Sequence, residues 1–157
     1  MEQYIHPFIE GTEVVFRDLC NTEVKAGRPF FVSKDEFETI WDISGIIGLS
    51  GEANGAVAIS LKEETAFKLT GILTGREYDR VDTEVTDMLG EVINIIAGNV
   101  KEVFEKKHRI KISMPSIIKG KAHTIVWPSE KARIICIPFT IFDDQELCLS
   151  VAMEQAK

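Results

Sequence analysis

Apolar side chains recur along this chain at two periods, and the places where the period changes divide it into elements. From Glu2 to about Lys25, Ile5, Phe8, Ile9, Thr12, Val15, Phe16 and Leu19 fall at helical spacing, which predicts an amphipathic first helix ended by Gly27 and Pro29. Phe37 to Leu61 is rich in Ile and Val and punctuated by Gly45, Gly48, Gly51 and Gly55, which predicts two strands joined by a turn around Ser50 to Asn54. Ser60 followed by Glu63 reads as a capping box, and Ala66, Phe67, Leu69, Ile72 and Leu73 then line a short second helix stopping at Gly75. Asp82 or Thr83 caps a longer third helix reaching about Lys107. Beyond it, Arg109 to Ser113, His123 to Trp127, Ala132 to Pro138 and Leu147 to Met153 read as strands of an antiparallel meander, with Asp143 and Asp144 at its last turn.

This order predicts an α+β fold, an antiparallel sheet with helices packed on one face. No Pro/Ser-rich linker or low-complexity tract interrupts it, so a single domain is expected over residues 1–157. Helix and strands followed by helix and strands suggest a coarse repeat, although no residue-level self-similarity is visible in the letters.

Composition narrows the partners. A net charge of -7 and a pI near 5.0 oppose extended contact with nucleic acid or anionic lipid, so a protein partner fits better. No run of about 18 apolar residues occurs, and Met1 to His6 lacks the basic and apolar blocks of a secretory signal; a cytoplasmic protein is expected. Cys20, Cys136 and Cys148 show no paired spacing and read as core thiols, while His6, His108 and His123 are too scattered to suggest a metal site. Gly48-Leu-Ser50-Gly51 misses the G-x-S-x-G elbow, and the glycines at 45, 48, 51 and 55 fit neither a dinucleotide fingerprint nor a P-loop.

The third helix carries the candidate chemistry. Val85, Met88, Leu89, Val92, Ile93, Ile95, Ile96, Val100, Val103 and Phe104 fill one half of its cylinder and must be buried. The other half presents Asp87, Glu91, Asn94, Lys101 and Glu105, with Gly90, Ala97 and Gly98 between them, so Asn94 stands in a shallow dip. A helix-interior glycine costs about 1 kcal/mol relative to Ala, so Gly90 and Gly98 need a compensating close approach, either by a partner or by a neighbouring helix of the same chain. The spacing alone leaves both open. Asn99 falls within the apolar half and reads as a hydrogen-bonded core residue.

Residues 87 to 99, Asp-Met-Leu-Gly-Glu-Val-Ile-Asn-Ile-Ile-Ala-Gly-Asn, resemble the signature helix of the CheX/CheC family of chemotaxis phosphatases. Asp87, Glu91 and Asn94 match its three marked positions, Pro115 in Met114-Pro115-Ser116 resembles a family proline, and Asp42 to Ser60 is similar to its early strand pair. Two-site members repeat the motif on their first helix; here Glu10 and Glu13 have no Asn three residues on, so one site is expected, as in the CheX branch.

The resemblance implies a CheC-like fold, a homodimer formed through its sheets, and hydrolysis of the aspartyl-phosphate of a CheY-like receiver domain. Asn94 would orient the attacking water and Glu91 would pair with a lysine of the receiver. Asp87, Gly90 and Gly98 would support the helix and the interface. Mg²⁺ is expected in the partner receiver domain, and no cofactor is expected on this chain. A non-catalytic docking module, similar to the flagellar switch middle domain, is the alternative; a protein whose exposed glycines serve self-association is a third.

Overall fold

Among residues 2–33, 40–127 and 131–155, which the computed structural model describes, three helices lie on one face of an eight-stranded antiparallel sheet. The helices are α1 (Glu2–Cys20), α2 (Glu63–Thr74) and α3 (Thr83–Phe104). The strands are β1 (Val24–Ala26), β2 (Phe30–Val32), β3 (Ile43–Gly51), β4 (Ala53–Leu61), β5 (Ile110–Ile112), β6 (Ser116–Lys119), β7 (Arg133–Ile141) and β8 (Gln145–Gln155). The α+β class and the β3–β4 hairpin agree with the sequence reading; residues 37–39 of the expected first strand lie outside the described residues.

Side-chain alternation along the long strands builds two layers. Val57, Ile59, Ile135, Ile137, Leu149 and Val151 face the helices and join the main core. Their neighbours Ala58, Ile134, Cys136, Cys148 and Ala152 point to the outer face, where Trp41 and Trp127 cover them. Both tryptophans are buried, at 9% and 6% exposure.

The sheet runs β1-β7-β8-β4-β3-β5, with β2 also on β7 and β6 also on β3. This is an internal duplication, visible in the register and not in the letters. Each half supplies a helix, a broken edge strand and a long hairpin, and each edge strand pairs with the other half's hairpin. Val24, Ala26 and Phe30 face Ile141, Phe139 and Cys136; Ile110, Ile112 and Ser116 face Gly51, Leu49 and Ile46 in the same pattern. Between the paired segments residues 27–29 bulge opposite 137–138, and 113–115 bulge opposite 47–48. Gly27 N donates to Pro138 O (2.7 Å), as Ser113 N donates to Gly48 O (2.9 Å). Pro29 and Pro115 hold equivalent places, and the pseudo-two-fold axis passes between the paired residues Ala58 and Ser150.

Four local expectations are corrected. The first helix ends at Cys20, where Asn21 turns into the left-handed region (φ 47°) and Thr22 N donates to Phe16 O, so Val24 and Lys25 belong to β1 instead. Ser60 does not cap α2: it is a β4 residue bonded to Ser44 Oγ, and Asp42 Oδ2 accepts from Glu63 N (2.9 Å) in place of a local cap. His123 to Trp127 is not a strand; it crosses the outer face, while β1, β2 and β6 are strands that the pattern does not predict. The last strands do not form a meander, because β8 lies between β7 and β4 while β5 and β6 border β3.

Candidate active site

Asp82 starts α3, its Oδ1 accepting from Val85 N (3.1 Å), a cap contributing about 1 kcal/mol. The apolar half then seats on β3, and Gly45 makes this possible: a Cβ there would lie 3.2 Å from Ile93 and 3.3 Å from Leu89. Leu89, Val92, Ile93 and Ile96 are fully buried as predicted. Val103, at 45% exposure, departs from the expected face, and Ala97, at 1%, is buried rather than beside Asn94 on the open side. Asn99 is half-buried next to α1, its Cβ 3.8 Å from where a Cβ on Gly11 would stand, and is not sealed in the core.

Fixing that face leaves Asp87, Glu91 and Asn94 exposed along one flank. Glu91 is four residues after Asp87 and three before Asn94, so the three side chains stand in one row. They form one wall of an open groove of about 710 Å³, with Thr86 and Gly90. The facing wall is the end of β5, the 113–115 bulge and Ile117 of β6. Gly90 lies where the walls approach: a Cβ there would meet Ile117 Cδ1 and Pro115 Cγ at 3.9 Å each, ordinary contact distance. Gly98 lies outside the groove lining, and a Cβ there would meet nothing within 4 Å. Neither the neighbouring-helix explanation nor a tight intramolecular approach accounts for these two glycines.

Among the described residues, no cation pairs with Asp87 or Glu91, and no group of three His, Cys, Asp or Glu side chains is placed to hold a metal ion. The groove therefore offers two unpaired carboxylates and a carboxamide to a visitor. Sequence reasoning found this helix wall but missed most of the facing one. Of Ser113, Met114 and Pro115, only Pro115 carried a signal. Residues 113–115 form a bulge because the edge strand must bypass residues 47–48, a fact of register.

A family model described as chemotaxis phosphatase CheX matches residues 43–140, a span holding both groove walls. The chain belongs to the CheX family. Membership of this family of chemotaxis phosphatases makes the chain a hydrolase. The CheY-P phosphatase CheX of Thermotoga maritima is 26% identical to this CheX-family chain, covering 96% of it and 95% of the relative. CheX from Vibrio vulnificus has the same architecture, with a TM-score of 0.87 at 26% identity over 97% of this chain and 99% of that one. The CheX of a CheX-CheY-BeF3-Mg complex from Borrelia burgdorferi superposes with a TM-score of 0.79 at 28% identity, covering 97% and 98%. No helix here is long and apolar enough to cross a membrane, among the described residues.

Proposed function

We propose that this chain removes the phosphoryl group from the aspartyl-phosphate of a CheY-like receiver domain, with Asn94 orienting the attacking water and Glu91 docking the receiver's lysine. The observation that carries the reading is that Glu91 and Asn94 are both exposed, one turn apart, on a wall of a single open groove. The CheX-CheY complex from Borrelia burgdorferi supports the class of partner.

In the reaction, the water oxygen bonds to phosphorus as the bond from phosphorus to the aspartyl oxygen breaks. The bonding pair leaves with the carboxylate, and the water proton passes to the departing phosphate. An acyl phosphate already has a good leaving group, so placing the water matters more than a strong base. The Asn94 carbonyl accepts from the water while its NH₂ donates to a phosphoryl oxygen. Glu91 pairs with the receiver's lysine and fixes the register of the two domains. Asp87 and Gly90 support this docking along the same flank. Mg²⁺ in the receiver's own acidic pocket offsets phosphoryl charge; this chain is read as binding no cofactor. The chain is further read as a single-domain cytoplasmic homodimer, with exposed Phe30 and Phe31 on edge strand β2 favouring self-association.

The test is phosphate release from a phosphorylated receiver with Mg²⁺. The wild-type chain accelerates it; Asn94→Ala loses about a hundredfold of that acceleration, the scale of removing one positioned polar group, and still binds. Equal release with and without the wild-type chain removes the proposal.

A further inference from the structure

We propose that Met114 is an apolar docking prong for the receiver domain, seated in an apolar recess that borders the receiver's acidic pocket. The inference rests on the phosphatase reading above and adds a second anchor to it. Met114 is 86% exposed on the lip of the groove opposite Glu91 and Asn94. Exposed apolar residues are ordinary on slack loops, so the question is whether this one is held.

It is held. Ile112 on one side and Ser116 on the other are both paired to β3. Ser113 N donates to Gly48 O (2.9 Å), Gly48 N donates to Ser113 Oγ (2.8 Å), and Ser113 Oγ donates to Met114 O (2.9 Å). Pro115 fixes its own φ immediately after. Bulges at sheet edges re-aim a side chain, and this one aims a methionine outward beside the candidate active site.

The internal duplication provides the comparison. The equivalent bulge in the other half has the same register, the same proline at Pro29 and the same backbone bond from Gly27 to Pro138, yet it places exposed Arg28 where Met114 stands. Bulge geometry therefore does not require an apolar residue at its centre. Methionine's unbranched, polarisable side chain suits a shallow recess. Seated there, it also shields the neighbouring Glu91 ion pair from water, so that this docking contact acts in a lower dielectric.

The experiment measures KM and kcat for phosphate release in Met114→Ala, Met114→Leu and Met114→Glu, with wild type and Asn94→Ala alongside. Met114→Ala raises KM about tenfold, the equivalent of losing part of one buried apolar side chain, and leaves kcat within about twofold. Met114→Leu restores the wild-type KM, and Met114→Glu raises it further. Thermal melts of all three match wild type, because the side chain is exposed. Acceleration by wild type with an unchanged KM in both Met114→Ala and Met114→Glu overturns the prong and leaves the phosphatase reading intact. A change in oligomeric mass by light scattering in place of a KM change also overturns it, assigning Met114 to self-association. No acceleration by wild type removes the phosphatase reading, and the prong with it.

Discussion

His123 Nε2 lies 2.7 Å from Ser44 Oγ, joining the segment that crosses the outer face to the buried start of β3. His123 Nδ1 is 2.8 Å from Gly120 O, which can only accept, so Nδ1 carries the proton and Nε2 accepts from the Ser44 hydroxyl. Ser44 Oγ in turn accepts from Ser60 Oγ at 2.6 Å. Ser44 is fully buried, so this serine-histidine pair fastens the outer layer and offers no reachable nucleophile. His123→Ala should destabilise the fold by about 1–2 kcal/mol, the cost of leaving a buried hydroxyl unpaired. At about 2–4 °C for each kcal/mol, a thermal melt resolves this. Phosphate release well below the melting temperature should be unchanged. An unaltered melt, or lost turnover in folded protein, would contradict the fastening role.

Burial pushes the Cys20 thiol from its ordinary 9.0 up to about 11. The folded state thus holds this proton more tightly than the unfolded one, so the associated stability is whole below pH 9 and is lost as pH rises toward 11. Lysines and tyrosines titrate in the same window, so the useful quantity is the difference between wild type and Cys20→Ala. Cys20→Ala should be less stable at pH 7 from its cavity, but its stability should fall less steeply between pH 9 and 11. Parallel slopes would contradict the assignment. Cys136 and Cys148 are buried too, and a thiol reagent should label none of the three in the native protein.

The sequence carried the helix wall of the groove because a 3.6-residue period leaves little choice: burying Leu89, Val92, Ile93 and Ile96 turns Glu91 and Asn94 outward. It carried the β3–β4 hairpin for a similar reason. It carried β5 within Arg109 to Ser113 but not the other edge strands, since β1, β2 and β6 are too short for a period-2 pattern to emerge and take their register from β7 and β3. Nor did it carry the cap of α2, because Asp42 reaches Glu63 N across space while Ser60 and Glu63 matched a local pattern that β4 pairing overrode. The duplication was hidden because identities such as Pro29 and Pro115 are too few to see before the register aligns them.

Gly98 separates fold requirements from docking requirements. A Cβ there meets nothing within 4 Å, so Gly98→Ala should raise stability by about 0.5–1 kcal/mol through helix propensity. Gly98 is also one turn beyond Asn94 on the flank proposed to meet the receiver, where an added methyl would narrow the approach. Receiver turnover by Gly98→Ala should therefore fall several-fold while the melting temperature rises. Gly55→Ala gives the contrast: its Cβ would lie 1.9 Å from Ala152 O, so the backbone must shift and the fold should be severely weakened. If Gly98→Ala gains stability with full turnover, the clearance serves no partner.

Glu91 supplies the sharpest test of register. It is exposed, no cation pairs with it among the described residues, and Asp87 one turn earlier reinforces its negative field. Glu91→Lys should weaken receiver binding by at least about tenfold, because an attraction to the receiver's lysine becomes a repulsion between like charges. The loss should shrink as salt rises, since the pair forms near solvent. Reversing the receiver's lysine to glutamate should weaken binding to wild type equally and restore binding to Glu91→Lys, the signature of direct coupling in a double-mutant cycle. Tight binding by Glu91→Lys would show that the carboxylate does not set the register. Two additive losses without rescue would instead place the lysine's partner elsewhere on the flank, with Asp87 next in the row.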